Sequence, residues 1–162
     1  SPTDKQQLQA IQQGKYEPQT DKKLREGEIL EEELARREQE RMKYASLRDQ
    51  ELALLLKDIL FDFDSYTVKS DYFSQLNKIS SWLKQNSDKK IVVEGHCDEK
   101  GTVEYNLALG QKRAESVKMY LTNSGVEASR IKTISYGKEL PIDPGHSEDS
   151  WAKNRRASIK ID

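Results

Sequence analysis

Residues 90–97 read Lys90-Ile-Val-Val-Glu-Gly-His-Cys97, a stretch in which apolar and polar side chains alternate. Successive side chains of a strand point to opposite faces of a sheet, so Ile91 and Val93 share one face while Glu94 and His96 share the other. The stretch therefore predicts a strand that is buried on one side only.

Helices are predicted on both sides of this strand. A loop at Gly101 leads into a helix from about Val103 to Asn123, and Gly125 is placed to cap its C-terminal end. Before the strand, Ser70 can cap a helix whose apolar residues recur with helical spacing until the polar stop at Asn86.

The same alternation predicts three further strands. They lie at Ile59-Leu-Phe-Asp-Phe-Asp64, Ile131-Lys-Thr-Ile-Ser-Tyr136 and Ala157-Ser-Ile-Lys-Ile161. Ser147 can cap a short helical turn before the last of them. Strands that alternate with helices and are apolar on one face predict an α/β (α+β) fold, a two-layer sandwich with a mixed four-stranded sheet and two helices on one face.

The composition points to an extension outside this sandwich. Hydrophobic residues make up 35% of the 162 residues and charged residues 34%, whereas globular chains have about 45–50% and about 25%. The hydrophobic deficit lies before Asp58, so we expect a flexible polar segment at 1–23, a charged helical spacer at 24–57 and a globular domain at 58–162. Only residues 52–56 of the spacer are apolar enough to dock on a core.

The spacer is predicted to be one long helix. Residues Glu28 to Lys57 contain no Gly or Pro, which predicts about 30 helical residues, and Glu33 lies four residues before Arg37, a favourable pair. A coiled coil would need apolar residues at the same positions of every heptad. Leu30 and Leu34 begin such a register, but Arg37 and Arg41 occupy the equivalent positions of the next heptad. We interpret this helix as a solvated spacer, with self-association as the alternative.

Charge and cysteine content exclude several classes of function. The 27 basic and 28 acidic residues leave a formal net charge of -1, so no positive field is available to hold nucleic acid. One cysteine cannot form an internal disulfide, and no apolar run approaches the roughly 20 residues of a membrane-spanning helix. The chain opens at Ser1 without a leader pattern, so any export signal has been removed or was never present.

The polar cluster Glu94-Gly-His-Cys-Asp-Glu-Lys-Gly-Thr102 stands where a strand ends before a helix, a common ligand site in α/β sheets. Cys97 directly follows His96 and must point to the opposite face, so the two cannot form a nucleophile pair, and Cys97 is predicted to be a buried inert thiol. His96 and Asp98 share a face, but the second histidine, His146, lies in a distant loop. A single loop glycine makes no phosphate site. We therefore predict no catalytic residue, metal or cofactor.

A site with opposite charges is the remaining candidate. Asp98 stands at the strand end and Arg113 lies two to three turns into the following helix. The two could frame a pocket for a zwitterionic ligand, with an ammonium on Asp98 and a carboxylate held bidentately by Arg113. Alternatively, they form a surface ion pair with each other.

A longer stretch carries a family resemblance. Gly95-His-Cys-Asp-Glu-Lys-Gly-Thr-Val-Glu-Tyr-Asn-Leu-Ala-Leu-Gly-Gln-Lys-Arg-Ala-Glu-Ser-Val117 closely resembles the peptidoglycan-binding signature of the OmpA-like C-terminal domain family, and within it the peptidoglycan-associated lipoprotein subfamily. The motifs Phe61-Asp-Phe-Asp64, Ser135-Tyr-Gly-Lys-Glu-Leu-Pro141 and Ala152-Lys-Asn-Arg-Arg-Ala157 fit in the expected order. The resemblance covers about residues 58–162.

The resemblance implies noncovalent binding of the peptide stems of peptidoglycan through meso-diaminopimelate, whose side chain ends in an amino acid group. By motif position, the implied peptidoglycan-binding residues are Asp98, Arg113, Thr102, Asn106, Leu109, Phe63 and Asp64. This zwitterionic ligand favours the pocket interpretation of Asp98 and Arg113 over the surface ion pair.

The resemblance also implies partners and a location. The partners are peptidoglycan, the periplasmic protein TolB, and the outer membrane through a lipid anchor outside this chain. The location is the periplasmic side of the outer membrane. Two alternatives remain open: an OmpA-type or flagellar-stator-type wall anchor with a dimerising N-terminal helix, and a murein-acting enzyme, against which stands the missing nucleophile–base pair.

Overall fold

The computed structural model of the protein describes residue 9 and residues 18–162. Two compact units divide the chain, residues 1–49 and residues 50–162. The polar segment expected at 1–23 lies mostly outside the described residues, so its flexibility remains a prediction, as do the expected domain boundaries.

Helix α1 extends from Pro18 to Leu55, whereas the sequence predicted a helix from Glu28 to Lys57. It begins earlier because proline is well tolerated in the first turn of a helix, and the single Gly27 costs only about 1 kcal/mol in its interior. The predicted pair of Glu33 and Arg37 forms, with Oε1 and Nη2 2.9 Å apart. Within the part of the chain that the structure describes, no helix combines the length and apolar composition needed to cross a membrane.

The globular unit is a mixed sheet with helices between its strands. Its strands are β1 (Ile59–Leu60), β2 (Ile91–His96), β3 (Ile131–Gly137) and β4 (Arg156–Ile161). Its helices are α2 (Phe73–Gln85), α3 (Val103–Asn123) and α4 (Glu148–Asn154), with 3-10 turns at Ser70–Tyr72 and Ala128–Arg130. The strand order is β1-β4-β2-β3, with β2 parallel to β3 and β4 antiparallel to both β1 and β2. Parallel neighbours need a crossover connection, which α3 supplies.

One hydrophobic core lies between the helices and one face of the sheet. The apolar faces of α2 and α3 contribute Leu76, Ile79, Leu83, Ala114, Val117 and Leu121. The strands contribute Ile59, Ile91, Val93, Ile131, Ala157 and Ile159. From the end of α1, Leu55 and Leu56 pack against this core, as expected for residues 52–56. The predicted two-layer sandwich with a mixed four-stranded sheet is confirmed.

The first strand is shorter than its alternating pattern predicted. β1 ends at Leu60, and a turn follows in which the Ser65 N–H donates to the Asp62 carbonyl at 3.1 Å. Asp64 adopts a φ of 52° in this turn, a conformation that reverses the chain and interrupts strand geometry. Phe63 is consequently 62% exposed and does not lie on the core face.

The helix caps agree with the sequence in two of three cases. Ser147 Oγ accepts the Ser150 N–H at the start of α4, and Gly125 follows α3 with a φ of 101°, a left-handed conformation that glycine adopts without strain. Ser70 was wrongly predicted as a cap. It begins the 3-10 turn that precedes α2, and no side-chain cap hydrogen bond forms there.

Two glycines allow α3 to lie directly on β2. A Cβ built on Gly95 would lie 1.6 Å from the carbonyl oxygen of Gly110, and a Cβ on Gly110 would lie 2.3 Å from Ser135 Oγ. The backbones of strand and helix are therefore in contact at this point. This approach fixes the distance between the end of β2 and the start of α3, where the polar cluster lies.

The contact between these glycines predicts the effect of a Gly95→Ala substitution. Because its Cβ would meet backbone atoms that cannot move independently, the free energy of unfolding should fall by at least about 3 kcal/mol. Urea unfolding followed by tryptophan fluorescence measures this. Gly27→Ala in α1 is the matched control, since its Cβ meets nothing within 4 Å. Equal stability of Gly95→Ala and wild type would contradict the close approach of α3 and β2.

Burial of Cys97 predicts slow chemical labelling. The side chain is 2% exposed, and burial raises the pKa of its thiol to about 11, so little of the reactive thiolate is present at about pH 8. Iodoacetamide should modify the native protein far more slowly than the urea-unfolded protein, as followed by mass spectrometry. As this is the chain's single cysteine, similar rates in both states would show that the faces of β2 are assigned the wrong way round.

Candidate functional site

A pocket of about 220 Å³ opens where β2 ends, between the following loop, the start of α3 and the turn after β1. Six of the seven predicted site residues line it: Phe63, Asp64, Asp98, Asn106, Leu109 and Arg113. The fold thus brings together predicted residues from two segments, 63–64 and 98–113, that are more than thirty positions apart in the chain. Four further lining residues were not predicted as site residues: Cys97, Lys100, Gly101 and Tyr105.

Arg113 is the most deeply buried charged side chain of the pocket, with 1% of its surface exposed. Its Nε donates to the carbonyl oxygen of Ser65 at 2.8 Å, Nη1 to that of His96 at 2.9 Å and Nη2 to that of Asp62 at 3.2 Å. The side chain therefore connects the turn after β1 to the end of β2 while its own backbone belongs to α3.

These contacts leave part of the guanidinium available. A guanidinium carries five N–H donors, and the described contacts use one on each of the three nitrogens of Arg113. By this count one N–H on Nη1 and one on Nη2 remain, and N–H groups on two neighbouring guanidinium nitrogens can bind a carboxylate bidentately. Burial lowers the pKa of Arg113 from its usual value, and such a group stays protonated in proteins.

Asp98 faces the same pocket but has its own partner. It is 5% exposed, its Oδ1 accepts the backbone N–H of Lys100 at 2.9 Å, and its Oδ2 lies 3.3 Å from Nη1 of Arg155. Among the described residues, no ion pair joins Asp98 to Arg113, so the surface ion pair considered from the sequence is not formed. Each carboxylate oxygen retains a lone pair for a ligand.

Arg155 is a further residue that the sequence reasoning missed, because it supports the site without lining the pocket. Besides Asp98, it binds Glu148 Oε1 at 2.7 Å and the carbonyl oxygen of Phe61 at 3.2 Å. It lies between α4 and β4, far from the polar cluster in sequence, and neutralises the buried carboxylate of Asp98. The signal was present in the motif Ala152-Lys-Asn-Arg-Arg-Ala157, which carried the resemblance but was given no role.

Thr102 and Asn106 shape the loop that forms the floor of the pocket. Thr102 Oγ1 accepts the Tyr105 N–H at 3.1 Å and caps α3; it does not line the pocket. Asn106, 2% exposed, donates from Nδ2 to the carbonyl oxygens of Lys100 and Thr102 at 2.8 Å and 3.0 Å. Both residues therefore hold the loop in place, and Leu109 adds an apolar wall.

Phe63 and Asp64 lie at the rim of the pocket. The carboxylate of Asp64 accepts a hydrogen bond from the Tyr105 hydroxyl of α3. This hydrogen bond joins the turn after β1 to the first turn of α3. This hydrogen bond raises the pKa of the Tyr105 hydroxyl. The pocket consequently has buried charged groups inside and an aromatic, partly exposed entrance.

Cys97 and His96 do not form a nucleophile–base pair with each other. Cys97 Sγ lies 3.2 Å from the carbonyl oxygen of Asn106, whereas His96 Nε2 lies 3.2 Å from Glu94 Oε1 and its ring stacks on Tyr136 with centroids 5.4 Å apart. Cysteine and histidine thus lie among different neighbours, as predicted from their adjacent strand positions. Among the described residues, no group of three His, Cys, Asp or Glu side chains is placed to hold a metal ion.

Comparisons with known proteins agree with this architecture. The peptidoglycan-associated lipoprotein of Pasteurella multocida is 44% identical to this chain over 110 residues, which cover 68% of this chain and 73% of that protein. The crystal structure of the peptidoglycan-associated lipoprotein from Burkholderia pseudomallei matches with a TM-score of 0.65 and 45% identity, over 65% of this chain and 90% of that one.

A more distant structure shares the fold alone. The C-terminal domain of Helicobacter pylori MotB matches with a TM-score of 0.61 at 24% identity, over 65% of this chain and 84% of that one. The chain spans between 56% and 73% of the length of curated relatives named peptidoglycan-associated lipoprotein.

A family model decides the assignment. The model of the OmpA family matches residues 60–155, a range that contains β2, β3, α2, α3 and every predicted site residue. The chain belongs to the OmpA family.

Proposed function

We propose that this protein binds the peptide stems of peptidoglycan noncovalently through meso-diaminopimelate and so anchors the outer membrane to the cell wall. The observation that carries the proposal is the pairing of a buried, partly unsatisfied Arg113 with a buried Asp98 in one pocket. The names of the peptidoglycan-associated lipoproteins to which the chain is similar support the same function at a coarser level.

The side-chain end of meso-diaminopimelate carries an ammonium and a carboxylate on one carbon. In our proposal its carboxylate accepts the two remaining N–H groups of Arg113, and its ammonium donates to the free lone pairs of Asp98. Hydrogen bonds to charged groups contribute roughly 1.5–3 kcal/mol each. The apolar stem of the ligand would lie against Leu109 and the exposed ring of Phe63.

The pocket is small and holds one end of one residue, so a single contact is expected to be weak. Durable attachment would come from many copies that are tethered to one membrane and face a polymeric wall. The proposal therefore includes a lipid anchor outside this chain, a position on the periplasmic side of the outer membrane, and the periplasmic protein TolB as a further partner.

Asp98→Asn tests the site while it keeps the shape of the side chain. Loss of the negative charge should weaken binding to purified sacculi by about 10- to 150-fold, because one charged hydrogen bond is lost. A pull-down measures this, with free meso-diaminopimelate as competitor. The substitution is preferable to Asp98→Ala or Arg113→Ala, since both side chains also hold the fold.

The matched control is Asp88→Asn, in the exposed loop before β2, where the carboxylate side chain is 80% exposed. It should bind sacculi like wild type. Thermal unfolding of each variant separates loss of binding from loss of fold. If folded Asp98→Asn binds sacculi as tightly as wild type, and free diaminopimelate still competes for that binding, the role assigned to Asp98 is wrong.

The stator-type alternative makes a different prediction for α1. Leu30 and Leu34 are 57% and 53% exposed, and the ion pairs of this segment, such as Glu33 with Arg37, lie within one helix. Sedimentation velocity should therefore show a monomer at micromolar concentration. A concentration-dependent dimer that disappears when residues 1–49 are removed would favour a dimerising anchor.

A further inference from the structure

Lys100 lines the pocket although it was not among the predicted site residues. Both of its backbone polar groups are held by site residues: its N–H donates to Asp98 Oδ1 at 2.9 Å, and its carbonyl oxygen accepts from Asn106 Nδ2 at 2.8 Å. The Cα of Lys100 is therefore fixed relative to the charged groups inside the pocket.

The ammonium of Lys100 is held by aromatic faces. Nζ lies 4.0 Å from the centroid of the Trp151 ring and 5.6 Å from that of Phe63. Trp151 is itself oriented, because its Nε1 donates to Glu99 Oε1 at 3.0 Å. Cation–π attraction places the ammonium at the entrance without neutralising it.

The acidic side chains of the pocket have partners within the protein, whereas its two basic side chains have no carboxylate partner in the part of the chain that the structure describes. Asp98 pairs with Arg155 and Asp64 accepts from Tyr105, whereas neither Arg113 nor Lys100 has a carboxylate within 4.0 Å among the described residues. A complementary ligand therefore presents two carboxylates, one to a buried guanidinium and one to an ammonium at the rim.

The stems of peptidoglycan have this arrangement. The residue before diaminopimelate is D-glutamate, joined through its γ-carboxyl, so its α-carboxylate remains free unless it is amidated. If the far end of diaminopimelate enters the pocket towards Arg113, the preceding residue lies outside, at the entrance. The depth of the two cations, with Arg113 buried and Lys100 exposed, matches the order of the two carboxylates along the stem.

We propose that Lys100 binds the α-carboxylate of the D-glutamate in the stem, so that the protein prefers stems with a free carboxylate to amidated stems. This inference rests on the proposed function of the same pocket. The α-amide of an amidated stem is neutral: its oxygen still accepts a hydrogen bond from an ammonium, but its NH₂ group only donates, so one acceptor and the attraction between opposite charges are lost.

Calorimetric titration with two tripeptides tests the inference: L-Ala-γ-D-Glu-meso-diaminopimelate and its D-isoglutamine counterpart. Wild type should bind the acid about 3- to 10-fold more tightly than the amide, the range expected of a charge pair at a partly exposed site. The preference should shrink as salt is raised. Lys100→Gln should bind both tripeptides with the affinity of wild type for the amide, and Lys100→Arg should retain the preference.

Lys112→Gln is the matched control, because Lys112 also lies over an aromatic ring, that of Tyr66 at 5.3 Å, but lies outside the pocket; it should keep the wild-type preference. If Lys100→Gln weakens both tripeptides equally, Lys100 only positions the loop, and the inference fails while the proposed function stands. Equal binding of both tripeptides by wild type would likewise contradict the inference and leave the proposed function standing. If wild type binds neither tripeptide, the proposed function itself fails.

Discussion

The guanidinium of Arg113 donates to three backbone carbonyl groups, those of Asp62, Ser65 and His96, and the architecture of the site depends on this interaction. It connects the turn after β1 to the end of β2 and leaves two N–H groups of a side chain that lines the pocket without a described partner. It is possible only because Gly95 and Gly110 let α3 lie against β2. One side chain thus contributes to both the fold and the proposed recognition of a carboxylate.

Coupling of fold and site extends to Asp98. A buried carboxylate is costly unless it is paired. Arg155, the residue directly before β4, supplies that pairing, and the partner is brought close because β4 lies beside β2 in the sheet. The charged groups are therefore set in position before any ligand arrives, and little reorganisation is needed on binding. A consequence is that substitutions in the pocket change stability as well as affinity, which makes charge-removing, shape-preserving variants the informative ones.

Much of the fold follows from local pattern, since period-two alternation predicted the strands and a serine before acidic residues predicted the cap at Ser147. Local pattern failed at Phe63, which it placed in the first strand, because β1 ends at Leu60 and a turn that contains Asp64 follows. It also missed Arg155, since no spacing rule links residues from distant strands. The site residues came largely from the family resemblance, and the structure adds the contacts that explain why those positions converge.

Recognition of the zwitterionic end of diaminopimelate is tested most directly by one calorimetric comparison with the unmodified protein. Two otherwise identical stem tripeptides, one with meso-diaminopimelate and one with L-lysine at the third position, differ in the side-chain carboxylate alone. Because the lysine peptide leaves the two remaining N–H groups of Arg113 without an anionic partner, it should bind at least about 10-fold more weakly. Equal affinities for the two tripeptides would contradict a carboxylate site at Arg113.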